Sequence, residues 1–402
     1  MPKSKSTKDA LAGRARSWLM DAAFPLWTEK GVDARGGFVE RLSLDLEQVD
    51  DDATRVRVQA RQTYAFAVAH RMGFRHGREL ARMGADRLVR LALADGRLPG
   101  RLMASGGGRI GHDVELYDCA FTMMALFEVA AATGDGSALA GATEAFARIV
   151  RTLRLPDGEG FRERLPGDAG SIDGQRDDRG FDNDERVEKP PREQNPHMHL
   201  FEACLAGYRA TRDIRYLDEA AAIGRFVFTN FYRRDLGLVE LHRRGASVAD
   251  NRIEPGHLFE WSWLLRAPAA FRNAAARDLE ADLPAGLADD LLRRAEGLAT
   301  DAGRVLLAHD LQGAPIDPRA RTWTATEALR GAVAAWRAGR DGASDNIERF
   351  GERLFDDHLR DDGAWMDMVD IDGAPLSEDV TAASLYHIVG ALDALISATA
   401  ER

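Results

Sequence analysis

Apolar residues recur along most of this chain at intervals of three and four, the spacing that places them on one side of an α-helix. Alanine, leucine and arginine fill these stretches, and all three are strong helix formers. Apolar and polar residues alternate, as in a β-strand, only in short runs at 36–42, 237–242 and 364–369. The pattern therefore predicts an all-α fold with a few short strands. About twelve helices are predicted, at roughly 7–23, 54–73, 76–94, 115–133, 138–153, 197–211, 213–231, 256–274, 285–303, 322–338, 342–358 and 379–399.

Helices in this number and order fit two architectures. Six consecutive hairpins can close into a ring, the (α/α)6 barrel, in which alternate helices face inward and the loops at one end build a pocket. An open α-solenoid also stacks helix pairs, but it normally carries a sequence repeat, and no clear one is present. We predict a single domain over residues 1–402, an (α/α)6 barrel with short β-hairpins in the loops at the pocket end.

The segment 166–196 departs from the helical pattern. Positions 173–193 contain many charged residues, together with glycines and a Pro-Pro pair, so this stretch is not core. A long loop in a compact domain is often a lid or disordered. Because it leads directly into a histidine-containing segment, we predict a lid beside a functional site.

Composition narrows the class of protein. Hydrophobic residues make up 45% of the chain, and the net charge of -11 is spread along it, which indicates solubility and argues against binding a nucleic-acid backbone. The basic N-terminus is followed by no apolar stretch, and no run of about 18 apolar residues suggests a membrane span. The two cysteines fall in apolar helical patterns, as reduced thiols do. These features predict a cytoplasmic enzyme with no nucleic-acid or membrane partner.

Histidines cluster in segments that contain predicted helix starts or a polar partner one turn away. The chain has only ten histidines, and histidine is the side chain that both takes and gives a proton near pH 7. An enzyme that moves a proton without a cofactor would use this pattern. Four of the ten lie in three segments, NPHMHLFEA (195–203), EPGHLFEWSWLL (254–265) and SEDVTAASLYHI (377–388).

The second of these segments pairs His257 with Glu260 one helical turn later. Such a carboxylate could orient the imidazole of a general base. Trp261 and Trp263 add aromatic surface suited to the apolar face of a sugar ring. A zinc site needs three or four ligands, and two residues at this spacing are weak support for one, so no metal is predicted.

In the first segment, His197 and His199 are two residues apart, so they point to roughly opposite faces of a helix. Asn195 is predicted to cap the helix, with Pro196 at the first helical position. Glu202 shares a face with His199, which a structural cap does not explain. In the third segment His387 lies in an apolar stripe, and taken alone this pattern favours a buried core histidine.

Three further groups of residues are candidates, and each has an alternative interpretation. Arg57 and Arg61 share a helix face and could stabilise an oxyanion or form a solvated basic stripe. Tyr117 could line a pocket or lie in the core. Trp323 and Glu327, four residues apart, form either a sugar-binding pair or a core tryptophan with a surface glutamate.

Together these segments resemble the N-acylglucosamine 2-epimerase superfamily, and within it the D-mannose isomerase and sulfoquinovose isomerase branch. The matching stretches run from near the N-terminus to the last predicted helix in the family's order. The family fold is an (α/α)6 barrel, in agreement with the helix pattern. The stretches are RVQARQTYAF ending at residue 66, YDCAF (117–121), NPHMHLFEA (195–203), EPGHLFEWSWLL (254–265), WTATEA (323–328) and SLYHI (384–388).

The resemblance implies a role for each matching residue and requires neither a cofactor nor a metal. His257 and His387 match the two catalytic histidines. Arg57 departs from relatives that carry an aromatic residue there, which leaves the exact sugar open. The glycines at 106–108 lack the lysine of a phosphate-binding loop. Sugar-contacting or supporting positions are matched by Arg61, Asn195, His199, Glu260 and Trp323, and more weakly by Tyr117, Arg57 and Glu327.

The expected activity is interconversion of D-mannose and D-fructose through a cis-enediolate, with a monosaccharide as the partner and a monomer or homodimer as the assembly. Alternatives on the same site are 2-epimerisation, of the D-mannose/D-glucose or N-acylglucosamine type, and sulfoquinovose isomerisation. A glycosidase would need two flanking carboxylates, for which Glu260 and Glu327 are the candidates. A helical scaffold without activity would show no polar residues on inner helix faces.

Overall fold

The structure is a computed structural model that describes residues 7–51, 53–93, 102–103, 114–156, 160–165, 191–243, 247–248, 250–271 and 283–401. Helices dominate it, as the sequence pattern predicts. In chain order they are α1 (Thr7–Ser17), α2 (Phe24–Glu29), α3 (Val56–Arg71), α4 (Gly77–Arg87), α5 (Leu116–Thr133), α6 (Gly136–Leu153), α7 (Gln194–Thr211), α8 (Ile214–Asn230), α9 (Pro255–Leu264), α10 (Leu287–Leu298), α11 (Thr322–Arg337), α12 (Ala343–Arg353) and α13 (Leu385–Ala400).

Burial divides the helices into an inner and an outer ring. In α7 every residue from 196 to 208 is buried, so this helix is covered on all faces. In α12 the buried residues recur at Ala343, Ile347, Phe350 and Gly351, which is a single face. The helices α3, α5, α7, α9, α11 and α13 pack side by side in that order, and α13 returns to α3. The described chain therefore forms an (α/α)6 barrel, which confirms the predicted fold.

Within the part of the chain that the structure describes, two inner helices are long and apolar enough, by composition alone, to cross a membrane. They are the stretches Leu116–Thr133 and Ala382–Ala400, of which 72% and 67% are buried within the protein. An inner helix of a barrel contacts protein on all sides, so a high apolar content is expected of it.

Short antiparallel strands lie at one end of the barrel, where several inner helices begin. One strand ends at Glu115, and α5 begins at the next residue, Leu116. Another strand ends at Glu193, and α7 begins at Gln194. The loops at this end are thus fixed by strand pairing. The pairs are β1 (Arg41–Ser43) with β13 (Asp379–Thr381), β2 (Ala53–Thr54) with β3 (Leu102–Met103), β4 (Val114–Glu115) with β5 (Arg164–Leu165), β6 (Arg192–Glu193) with β9 (Leu241–His242), β7 (Tyr232–Arg233) with β8 (Gly237–Leu238), and β11 (Pro315–Arg321) with both β10 (Leu306–His309) and β12 (Met368–Val369).

Some predicted boundaries differ from the structure. The helix predicted over 256–274 ends at Leu264, and a 3-10 turn with Pro268 follows, because proline cannot continue the hydrogen-bonded ladder. The helix predicted over 379–399 begins only at Leu385, after strand β13. Residues 166–190 of the predicted lid lie outside the described residues, and its end forms β6 and the start of α7.

Candidate active site

Two histidines and a tryptophan among the predicted site residues lie close together. His257, His387 and Trp323 lie in the first turns of α9, α13 and α11. The ring centroid of Trp323 is 5.0 Å from that of His257 and 6.1 Å from that of His387. Inner helices of the barrel start at this end, so residues far apart in the sequence converge here.

The first histidine lies against two carboxylates. Nδ1 of His257 is 2.9 Å from Oε1 of Glu240 and 3.4 Å from Oε2 of Glu254. Burial would lower the pKa of His257, but the charges of Glu240 and Glu254 outweigh it and raise the pKa to about 9. This imidazole is therefore protonated at neutral pH and can act as an acid.

The carboxylate bonded to His257 is Glu240, not Glu260 as the sequence spacing suggested. Glu240 is buried in the loop between β8 and β9, and its Oε2 accepts a hydrogen bond of 3.0 Å from Nε2 of Gln194. Oε1 of Gln194 in turn accepts a 2.7 Å bond from Nε1 of Trp261. Trp261 is fully buried, so it supports this chain of bonds and offers no surface to a sugar.

The second histidine has a different partner and the opposite electrostatics. Nδ1 of His387 is 2.8 Å from Oε1 of Glu327, whose Oε2 accepts a 2.7 Å bond from Nε1 of Trp263. Burial raises the pKa of Glu327 to about 6. Burial, with the charge of Arg61 as the next cause, lowers the pKa of His387 well below its usual range. His387 is thus a neutral imidazole that can accept a proton.

Glu327 is fully buried, which excludes the surface position that the sequence left open for it. Its carboxylate orients His387, as a carboxylate orients the imidazole of a general base. His387 is buried in an apolar helix, as the sequence pattern predicts, and its ring is bonded to a carboxylate and lies near Trp323.

A third group of polar residues is buried beside the two histidines. Nδ1 of His199 lies 3.4 Å from Oε2 of Glu202 and 3.8 Å from Oε1 of Glu260. The hydroxyl of Tyr386 donates a 2.5 Å hydrogen bond to Oε2 of Glu202. Burial, followed by the charges of Glu327 and Glu202, raises the pKa of Glu260 well above its usual range. Glu260 therefore favours the neutral acid, which can donate a hydrogen bond.

Arg61 and Tyr117 form one unit. Nη2 of Arg61 donates a 2.6 Å bond to the Tyr117 hydroxyl, and the guanidinium lies 4.2 Å from the ring centroid of Phe121. The charge of Arg61 reaches His387, whose pKa it lowers. An enediolate formed near His387 would lie in the field of this cation.

Arg57 occupies a different environment from Arg61, although both are on α3. It forms an ion pair with Glu115, and its Nε donates a 2.6 Å bond to Oδ1 of Asp118. Its charge is therefore compensated by the protein. The Arg57 guanidinium does not provide the free cation that a sulfonated sugar would need.

Two predictions on α7 need correction or completion. Asn195 is not the helix cap, because α7 begins at Gln194 after Glu193; its Oδ1 is buried and has no hydrogen-bond partner among the described residues. His197 is structural: its Nδ1 is 3.0 Å from the Glu193 carbonyl, its Nε2 accepts the Phe161 amide, and burial lowers its pKa to about 3.

The position of Trp323 depends on Gly256. A Cβ at Gly256 would lie 2.4 and 2.6 Å from two ring carbons of Trp323. We expect Gly256→Ala to displace the indole and lower kcat/KM by about tenfold to a hundredfold, since small misplacements beside reacting atoms are costly. Steady-state kinetics checks this. Gly297→Ala is the control, because a Cβ there meets nothing within 4 Å; equal activity of both variants would refute the steric role of Gly256.

The comparisons with known proteins agree with this geometry. Residues 36–391 match the model of the N-acylglucosamine 2-epimerase (GlcNAc 2-epimerase) family. A mannose-6-phosphate isomerase of Rhizobium meliloti (strain 1021) is 30% identical, with 95% of each chain covered.

Solved structures share the fold at low sequence identity. A D-mannose isomerase superposes with a TM-score of 0.78 at 18% identity, covering 99% of both chains. A sugar epimerase from a ruminal bacterium reaches 0.83 at 20% identity, covering 96% of this chain and 98% of its own. The match of the family model over most of the sequence shows that the chain belongs to the N-acylglucosamine 2-epimerase family of sugar isomerases and epimerases.

Proposed function

We propose that this enzyme interconverts D-mannose and D-fructose by proton transfer between C1 and C2. The observation that carries the proposal is the pair His257 and His387, both near the ring of Trp323, one imidazole charged and the other neutral. An aldose–ketose isomerase needs an acid to open the sugar ring and a base to remove a carbon-bound proton. Groups whose environments separate their pKa values supply these two roles.

The proposed reaction begins with ring opening. The His257 imidazolium donates a proton to the ring oxygen, the bond from that oxygen to C1 breaks, and the C1 hydroxyl gives its proton back to His257 as the aldehyde forms. Nε2 of His387 then takes the proton from C2. The electron pair forms the C1–C2 double bond, and the aldehyde oxygen becomes the enediolate oxygen, stabilised by Arg61 and Glu260 as preorganised donors.

The carbon to which the proton returns determines the product. Transfer of the proton from His387 to C1, with movement of the O2 proton to O1, gives the ketose. Delivery to C2 from the opposite face would instead give the epimeric aldose, and His257 is the group that could deliver it. The two reactions share every residue of the site, so 2-epimerisation is the alternative that an assay has to separate.

The charges at the strand end of the barrel favour a sugar without phosphate. Four arginines at this end of the barrel are each paired with a carboxylate, so their charges are already compensated. A phosphate group needs donors that are free to bind it. The pairs are Arg57 with Glu115 and Asp118, Arg192 with Glu163, Arg252 with Glu254, and Arg321 with Asp367.

The test is a product analysis on four sugars, by chromatography of reactions with D-mannose, D-mannose 6-phosphate, cellobiose and N-acetylglucosamine. We expect fructose from D-mannose with a kcat/KM at least about tenfold above that for the phosphate, because burying a doubly charged group beside arginines that are already paired with carboxylates costs free energy. Preference for mannose 6-phosphate would contradict the substrate assignment, and glucose from mannose would identify an epimerase.

The two histidine pairs predict the pH dependence of kcat/KM. The pKa of Glu327 is about 6 and that of His257 about 9. Below about 6 the Glu327 carboxylate becomes protonated and no longer holds His387; above about 9 the His257 acid loses its proton. We therefore expect kcat/KM to rise through about pH 6 and fall through about pH 9. A profile that falls already between pH 6 and 7 would contradict a charged His257.

A further inference from the structure

We propose that the buried group of His199, Glu202 and Glu260 binds one divalent transition-metal ion of the zinc type, and that the bound ion blocks the sugar site. The ligand atoms are Nδ1 of His199 and one carboxylate oxygen from each glutamate. These three atoms lie within 4.8 Å of one another, and all three residues are buried.

The distances suit a metal better than a hydrogen bond. A charge-assisted N–H to carboxylate bond is about 2.7–2.9 Å long, whereas Nδ1 of His199 is 3.4 Å from Glu202 Oε2 and 3.8 Å from Glu260 Oε1. Ligands about 2.0–2.1 Å from a tetrahedral zinc ion are separated from each other by roughly 3.3–3.4 Å. The triangle of donor atoms therefore needs shifts of only a few tenths of an ångström at the two measured edges to surround such an ion.

A second observation points to the same ligand. Oε1 of Glu260 is buried and has no hydrogen-bond partner among the described residues, and Glu260 is 1% exposed. A buried acceptor without a partner is costly. A cation bound at Oε1 would displace the proton that burial favours on Glu260, because metal ligands bind deprotonated, and would satisfy this oxygen. Three protein ligands leave the fourth position of a tetrahedral zinc ion for solvent or a ligand.

A neighbouring group has similar residue types but is already satisfied. Glu240, Glu254 and His257 also bring three donors together. However, Nδ1 of His257 is 2.9 Å from Glu240, and Glu254 accepts a 2.7 Å bond from Arg252. A metal there would have to replace these bonds. Around Glu260, Oε2 of Glu202 already accepts the Tyr386 hydroxyl, but Oε1 of Glu260 accepts no hydrogen bond among the described residues, so this group is favoured.

Binding of the ion should compete with the sugar, because His199 and Glu260 line the same site as His257 and His387. The proposed function requires no metal, so the ion acts as an inhibitor. The inhibition readout rests on the proposed function, whereas binding of the ion can be measured on the protein alone.

The experiment is calorimetric titration of the metal-stripped full-length protein with zinc chloride, together with the visible spectrum after cobalt(II) addition. We expect one site, intense tetrahedral cobalt bands, and affinity at least about tenfold weaker in Glu260→Gln, because one ligand is lost. The matched control is Glu254→Gln, which removes a carboxylate of the neighbouring group and should retain zinc affinity. Thermal melting monitored by circular dichroism establishes that both variants are folded.

Several outcomes would overturn the metal site. They are the absence of zinc binding by the wild-type protein, unchanged affinity in Glu260→Gln, and loss of affinity in Glu254→Gln. If Glu260→Gln does not fold, octahedral cobalt bands in the wild-type protein, or bands unaffected by His199→Gln, would equally refute it. With an active sugar substrate, zinc should raise the apparent KM and leave kcat unchanged. If no sugar is converted, the proposed function fails while the calorimetry still decides the metal site.

Discussion

Replacement of His387 by alanine should lower kcat at least about a hundredfold while the protein remains folded. His387 is the neutral imidazole of the site, bonded through Nδ1 to the buried carboxylate of Glu327. Without it no group at this position can remove the C2 proton. Because the substitution leaves Arg61 and Trp323 in place to bind the sugar, KM should change much less than kcat. Steady-state kinetics on D-mannose separates the two parameters.

The control for His387→Ala is His76→Gln. His76 precedes α4, far in sequence from the three site segments, and its side chain is 37% exposed. It should retain the wild-type rate. Turnover of His387→Ala within threefold of the wild type would mean that another group carries the proton, and the mechanism proposed here would have to be abandoned.

Glu240→Gln should give the second large effect, a loss of at least about tenfold in kcat, because the carboxylate that orients His257 and keeps it charged is removed. Glu240 is the nearest carboxylate to His257 and contributes most to raising its pKa. With a neutral side chain at 240, the pKa of His257 should fall, so the basic limb of the kcat/KM profile should move below pH 9. If Glu240 had a purely structural role, its replacement would lower the rate without moving the basic limb of the profile.

A matched control for this substitution is Glu219→Gln. Glu219 is also a buried glutamate, but it lies on the outer helix α8 and pairs with Arg154. It should leave the pH profile unchanged. An unshifted basic limb in Glu240→Gln, measured beside Glu219→Gln, would show that Glu240 does not set the charge of His257.

The fold was predictable because its signal is repeated along the chain. Each outer helix carries one apolar face and each inner helix is apolar around most of its circumference, so periodicity located nearly all of them. The ends of helices were less predictable. Where tertiary pairing competes with helix formation, as at Asp379–Thr381, the strand that pairs with Arg41–Ser43 replaced the predicted first turn of a helix.

The site was predictable only in part, because spacing along a helix determines a shared face but not a partner. His257 and Glu260 are one turn apart, yet the carboxylate of Glu260 lies toward His199 on α7, while Glu240 from a loop reaches His257. Glu240 lies in a predicted strand, 17 residues before His257 in the sequence. The one signal for it is a charged residue within the apolar run GLVELH.

For His387 the sequence pattern predicted burial correctly but gave no indication of its carboxylate partner, Glu327. An apolar stripe around a histidine indicates the core, and this histidine is indeed buried. In this barrel, however, the candidate site lies among buried helix starts, so burial does not separate a core histidine from a proposed catalytic one. Only the convergence of several helices distinguishes a core histidine from a catalytic one, and that information is not local in the sequence.

The most direct test of the central claim is proton NMR of D-mannose incubated with the enzyme in D2O in the presence of EDTA. Proton transfer between C1 and C2 through an enediolate predicts the appearance of D-fructose with deuterium at C1. D-glucose with deuterium at C2 would retain the histidine pair but replace isomerisation by epimerisation. D-mannose that keeps its C2 proton, with no new sugar formed, would contradict the account.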